Sequence, residues 1–200
     1  MKNVYAAALA AALVVLPASQ ASAFLVEIYD ASPMTTLAQA DAAIAAGSPV
    51  STVNASVIEY DDLGDGTRGL FSVNNAFPGG INDTFAARVR GNFFVATAGT
   101  WTFGINHDDG ARLRIDGTLV NFADGVVDNR NTEITASFAA GIHTVEIVYF
   151  ENGGGASLEF YGRQSSTAPN FLVQSVPEPT TLALVGLSLL GLGLSRRKQG

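Results

Sequence analysis

From Phe85 to Phe160 the apolar residues of this chain return at every second position, in short bursts separated by turn residues. Phe85, Ala87, Val89, Phe93 and Val95 share one side of a long segment, with Arg88, Arg90 and Asn92 on the other. Successive side chains of a strand point to opposite faces, so this alternation marks strands with one face in a core. After the Ala98-Gly99 turn the pattern resumes at Trp101, Phe103 and Ile105, then at Leu113 and Ile115 opposite Arg112 and Arg114. Asp116-Gly117 is a two-residue hairpin signal leading into 119–122. Ile134, Ala136 and Phe138, then Val145, Ile147 and Tyr149, then Leu158 and Phe160 complete the series. Phe24 to Tyr29 and Val53 to Tyr60 add strands at the front. Short strands at such spacing predict an all-β fold, an antiparallel sandwich or barrel. One helix interrupts it, over residues 37 to 46: Thr36 and Gln39 form a capping-box pair, and Gly47 with Pro49 ends the run.

The two ends carry addresses rather than fold. Lys2, an apolar run through Leu16, Pro17 and Ala21-Ser22-Ala23 have the form of a signal peptide, residues 1–23, cut after Ala23. At the other end Val176-Pro177-Glu178-Pro179 precedes a charge-free run over 180–195, closed by Arg196-Arg197-Lys198. As a helix, sixteen residues reach about 24 Å against a hydrocarbon core of about 30 Å, a marginal span that needs its basic end to snorkel. Pro177 and Pro179 keep the tripeptide before it extended and open to a processing enzyme. The order of Pro-Glu-Pro, short apolar helix and Arg196-Arg197 resembles the PEP-CTERM sorting signal. That resemblance implies recognition by an exosortase, transient membrane residence through 180–195 and removal of the tail. It further implies an inner-membrane intermediate, then delivery to the cell surface or extracellular matrix of a Gram-negative bacterium. A permanent single-span anchor is the alternative. The expected organisation is thus 1–23 signal peptide, 24–164 β-domain, 165–175 polar linker and 176–200 sorting signal.

Without its addresses the chain, 24–178, keeps seven arginines against eighteen carboxylates, a net charge of minus eleven, and no lysine. Such a surface repels phosphates and excludes a nucleic-acid partner, whereas it suits cations. There is no cysteine, and the two histidines, His107 and His143, have no zinc-type spacing. Gly153 to Gly155 is followed by no Lys-Ser/Thr and is not a phosphate loop. Asp61-Asp62-Leu63-Gly64-Asp65-Gly66 fails as an EF-hand, because Leu63 stands at the third position and Ser72 at the twelfth, where a carboxylate is needed.

The chemistry lies between two strands, where Asp108 and Asp109 are adjacent. Side by side these carboxylates repel, so they must be solvated, cap backbone N–H groups in a turn, or be neutralised by a cation. Calcium, with six to eight oxygen ligands, fits such a loop best. The surrounding residues resemble the PA-fourteen family, named for the anthrax protective antigen. The match runs through Gly99, Trp101, Phe103, Asp108, Asp109, Gly110, Arg112, Leu113, Ile115, Asp116 and Gly117, then Gly141, His143, Tyr149, Phe150, Glu151 and 153–155. It is strongest over 84–162 and implies an antiparallel β-sandwich or barrel. In the lectin-like members the paired Asp residues hold calcium, sometimes through a cis peptide, and an Asn from a second loop completes the site. Carried over, this implies a metal set of Asp108, Asp109 and Asn152, with Glu151 beside Asn152 at the same place and able to touch ligand. The ion in those members binds vicinal sugar hydroxyls. The function expected is a non-catalytic, exported carbohydrate-binding or adhesion module with a polysaccharide or glycan partner and a calcium cofactor. A structural matrix protein without specific sugar binding is the alternative. An enzyme is not expected, since adjacent carboxylates cannot readily bracket a glycosidic bond at the required separation of about 5 Å or more. Asp116-Gly117 and His143 are expected to be structural, and His107, although next to the pair, is not counted among the ligand residues.

Overall fold

The computed structural model describes residues 23–61, 69–71, 75–81 and 83–176; the segments read as addresses, 1–23 and 176–200, lie outside the described residues but for Ala23 and Val176. Eleven strands and one helix follow in order: β1 (Phe24–Asp30), α1 (Leu37–Ala46), β2 (Ser51–Ala55), β3 (Glu59–Asp61), β4 (Phe85–Val95), β5 (Gly99–Asp108), β6 (Ala111–Ile115), β7 (Thr118–Ala123), β8 (Arg130–Phe138), β9 (Gly141–Glu151), β10 (Ser157–Arg163) and β11 (Phe171–Leu172). All pairings are antiparallel. One sheet has the order β2-β1-β4-β9-β6-β7; the other runs β11-β10-β5-β8, with β3 also paired to β10. Among the described residues no helix is long and apolar enough to cross a membrane.

The inner faces of the two sheets meet in one core. Phe93 lies 4.9 Å from Phe103 and 5.6 Å from Phe160, ring centre to ring centre, and Phe138 packs edge-on against Phe103 at 4.9 Å. Phe93, Phe103 and Phe160 are each at most 2 % exposed, and burial of each stabilises the fold by about 1.5–3 kcal/mol. The alternation read from the sequence holds for the core-facing positions. It fails at Val148, Tyr149 and Phe150, which are consecutive and all buried. α1 covers the outer face there, so that Val148 and Phe150 pack against Leu37 and Ala40 instead of meeting solvent.

α1 starts where the capping pair places it. Thr36 is extended at its cap (φ −147°, ψ 150°), its hydroxyl accepts from Gln39 N, and the Gln39 side chain accepts from Thr36 N at 3.2 Å. Arg112 then ties the helix to β6 through two hydrogen bonds to Asp41, at 2.9 and 2.7 Å.

The polar stretch 165–175 is not a linker along its whole length. Phe171–Leu172 pairs with β10, Val173 is 3 % exposed, Ser175 bridges Phe93, and Val176 N donates to Asn92 O at 3.0 Å. The apolar Phe171, Leu172 and Val173 find an open edge beside β10, and pairing there satisfies backbone groups that a linker would leave to water.

Asp116 and Gly117, at φ 51° and 74°, form the expected tight turn between β6 and β7. His143 is structural as expected: Nδ1 meets Asp116 Oδ2 at 2.7 Å and Nε2 meets the Ala139 carbonyl at 3.0 Å. Both partners only accept, so the two contacts are both satisfied only when the ring is protonated. Burial opposes that charge, but Ala139 and Asp116 outweigh it and hold His143 above its ordinary 6.5. For Asp116 burial likewise opposes charge, and His143 and Thr144 outweigh it, leaving the carboxyl below 3.8. A raised histidine stabilises fully below its unfolded value and loses that contribution as pH rises through the folded one. The melting difference between wild type and His143→Gln is therefore expected to be largest below pH 6.5 and to shrink above it. At its largest it corresponds to about 1 kcal/mol, since Asp116 is half-exposed and the pair is screened.

Candidate metal and ligand site

β5 belongs to the five-stranded sheet and β6 to the six-stranded one, so Asp108, Asp109 and Gly110 do not form a hairpin turn. They are the corner at which the chain crosses from one sheet to the other. The Asp108-Asp109 peptide is cis. Glu151 ends β9, which pairs with β6, and this brings its carboxylate to the same corner. One oxygen from each of Asp108, Asp109 and Glu151 lies within 4.8 Å of the others, and all three residues are buried.

Three like charges withdrawn from water need donors, and the structure supplies some. Asp109 accepts from Val127 N at 3.0 Å and Asn152 N at 2.9 Å. Glu151 accepts from Gly153 N at 2.6 Å and from the Tyr149 hydroxyl at 2.9 Å, and that hydroxyl also contacts the Asp108 carbonyl. These donors do not fully offset desolvation. Burial pushes Asp109 up despite the two backbone N–H groups. Burial pushes Glu151 up to about 8, Gly153 and Tyr149 pulling it down and the charges of Asp109 and Asp108 adding to the rise. Glu151 is thus a neutral acid at pH 7 unless a cation joins it.

Asn152 adds an observation of a different kind. Its Oδ1 is buried and has no hydrogen-bond partner. A buried carbonyl without a donor loses its hydration with nothing in return, which is what a cation ligand looks like before the ion is considered. Carboxylates and an amide oxygen are hard donors suited to calcium, and no cysteine or histidine competes for the ion at the cluster. The donor set fits the ion expected from the sequence.

His107 does not reach a ligand surface. It is fully buried, with Nδ1 2.5 Å from the Asp109 carbonyl and Nε2 2.7 Å from the Thr132 hydroxyl. Burial pushes its pKa down to about 4, the Asp109 contact opposing and Arg130 adding, so the ring is neutral and serves to hold the corner. The arginines pair with carboxylates on the outer faces, Arg88 and Arg90 with Glu27 and Arg163 with Glu133. Pro177, Glu178, Pro179, Arg196 and Arg197 lie outside the described residues.

Two contributions had no signal in the residue pattern. The Val127 N–H comes from a loop eighteen residues beyond Asp109, and a backbone donor has no sequence signature. A second buried acidic group, Glu59, Asp61 and Glu159, meets residues 69–71 and Asn75: Leu70 N and Phe71 N donate to Glu159 at 2.5 and 2.9 Å, and Asn75 donates to Glu59 at 2.5 Å. Burial raises Glu59 to about 7, with the Asn75 contact opposing and the charges of Glu159 and Asp61 adding. Period two places Glu159 on an outer face, and Leu70 and Phe71 lie over it there.

Residues 70–168 match the PA14 domain family, and residues 175–198 match the PEP-CTERM protein-sorting motif. Among solved structures, the PA14 domain of the MpAFP antifreeze protein is 17 % identical with a TM-score of 0.62, covering 84 % of this chain and 98 % of its own. A PA14 sugar-binding domain from an RTX adhesin is 23 % identical with a TM-score of 0.60, covering 78 % of this chain and 99 % of its own. The epithelial adhesin 6 A domain of Candida glabrata, solved with Galβ1-3GlcNAc, is 14 % identical with a TM-score of 0.55, covering 77 % and 84 %. No curated protein matches the chain. Family match and two-sheet fold agree: residues 70–168 carry a PA14 domain, and residues 175–198 a PEP-CTERM sorting motif.

Proposed function

We propose that the chain is an exported, non-catalytic carbohydrate-binding or adhesion module of the cell surface or exopolysaccharide matrix, and that its ligand site depends on calcium. The observation that carries the ion is the gathering of three buried carboxylates, with one oxygen of each within 4.8 Å of the others, next in sequence to Asn152, whose Oδ1 is buried without a hydrogen-bond partner. Asp108, Asp109, Glu151 and Asn152 would hold it. Bound calcium offers remaining coordination positions to vicinal hydroxyls, which is how a sugar would be engaged. This chain's own residues keep the cluster in place: Val127 N and Asn152 N fix Asp109, Tyr149 and Gly153 N fix Glu151, and His107 holds the Asp109 carbonyl.

The carbohydrate reading is supported by the PA14 match and by the similarity in fold to adhesin domains described as sugar-binding or solved with a disaccharide. A non-catalytic role is supported by the crowding of the carboxylates. One oxygen from each lies within 4.8 Å of the others, gathered at one place, and backbone donors occupy both oxygens of Asp109. The sorting motif supports export, exosortase processing and an inner-membrane intermediate, and the Ala21-Ser22-Ala23 pattern supports a mature product that begins at Phe24.

A glycan array, including the producing cell's own exopolysaccharide, tests this reading. Binding is expected in calcium, lost in chelator, and lost in the Asp108→Ala/Asp109→Ala double variant. Binding that persists in chelator would overturn the calcium dependence. Correct surface delivery with no glycan affinity would point to a structural matrix component instead.

A further inference from the structure

The described chain leaves the sandwich at one end, and the carboxylate corner lies at the other. Val176 is bonded to Asn92 and Ser175 to Phe93, near Val95, which pairs with Gly141 at the start of β9. Glu151 closes β9 at the far end. Its 11 residues, separated by steps of about 3.3 Å, put roughly 33 Å between Gly141 and Glu151.

Around the exit the surface is apolar. Phe94 and Ile142 are partners across β4 and β9 and are 56 % and 47 % exposed, while Phe171 is 43 % exposed. Phe94, Phe171 and Val176 share one cleft of about 470 Å³, and none of the described residues lining it is charged. Single exposed apolar residues are ordinary, but three gathered at one end of a domain of net charge minus eleven mark a contact surface. What they contact follows from the chain beyond them. Thr180, where the charge-free run begins, is four residues after Val176, at most about 14 Å of extended chain. A tail in the bilayer therefore keeps this end of the domain, with its exposed Phe94, Ile142 and Phe171, at the lipid headgroups.

We propose that Phe94, Ile142 and Phe171 seat the domain on the membrane surface while the tail is inserted. The seat holds the sandwich upright, with Asp108, Asp109 and Glu151 facing away from the bilayer. Aromatic and aliphatic side chains of this kind lodge at the boundary of headgroup and acyl chain. The proposal rests on reading 180–195 as a membrane-inserted run.

Because the chain has no cysteine, Phe94→Cys and Phe122→Cys each create one site for an environment-sensitive fluorophore. Phe122, 52 % exposed and paired with Arg112, lies toward the carboxylate end and serves as control. The full chain is reconstituted into phosphatidylcholine–phosphatidylglycerol vesicles whose acyl chains carry bromine near the headgroup. Quenching of about twofold is expected at Phe94→Cys and none at Phe122→Cys. Equal quenching at both positions, or none at Phe94→Cys, overturns the proposal. So does a shifted emission at Phe94→Cys without lipid quenching, the result expected if the chain's own tail covers the patch. Vesicle flotation reads tail insertion separately. A chain that floats without quenching contradicts the seat alone, and a chain that fails to float contradicts the tail reading and the seat with it.

Discussion

Saturating calcium is expected to raise the melting temperature by about 8 °C over chelator. A hundredfold excess over Kd stabilises the folded state by about 2.7 kcal/mol, and each kcal/mol moves a domain of this size by about 3 °C. The gain comes from charges that the fold buries without fully compensating, above all Glu151 and Asp109. The same physics sets the pH dependence. A carboxyl whose folded value is raised destabilises the fold above that value and is relieved as pH falls toward its unfolded value. In chelator the protein should therefore gain stability as pH falls from about 9 toward about 5, through Glu151's value of about 8. With calcium present the ion must displace that proton, so the calcium increment shrinks over the same range. A melting temperature that ignores calcium at every pH would mean that the corner does not bind it.

Gly110→Ala is the single substitution expected to damage the corner most. A Cβ there would overlap the Phe150 ring, with Cζ 2.6 Å away, and would meet the Gly125 carbonyl oxygen at 3.0 Å. Neither neighbour can yield easily. Phe150 is fully buried beneath α1, and its N–H is bonded to the Gly110 carbonyl at 3.0 Å. Overpacking of this kind costs about 2–3 kcal/mol, read as a lower urea midpoint at unchanged slope. Calcium affinity should fall as well, because Gly110 joins Asp109 to β6. A loss below about 0.5 kcal/mol, the range of an indifferent surface position, would show that the corner is not packed as described.

How much of this was legible in the sequence depends on how local each cause is. Strand faces at Phe85 to Val95 and Trp101 to Ile105, and the bounds of α1 from Thr36, Gln39 and Gly47, arise from neighbours in the chain, and the structure keeps them. Asp108 and Asp109 stood out because adjacent carboxylates between strands are hard to explain without compensation. Non-local causes left no trace. Nothing in the period separates a hairpin from a sheet-to-sheet corner, since β5 and β6 alternate alike in either case. Tyr149 gave the same signal as any inward strand residue, although its hydroxyl meets both Asp108 and Glu151. The docking of Phe171 to Val176 depends on an open edge beside β10, and the local polarity of 165–170 concealed it.

The central claim is that the corner is a cation site built from carboxylates that the fold holds ready. Calorimetric titration of calcium into wild type and Glu151→Gln tests it most directly. Glu151 is already neutral near pH 7 without an ion, so Glu151→Gln should melt close to wild type in chelator. In calcium the wild type should bind one ion per chain, and Glu151→Gln should bind it roughly a hundredfold more weakly, having lost one ligand charge. No heat of binding in the wild type, or wild-type affinity in Glu151→Gln, would contradict the account.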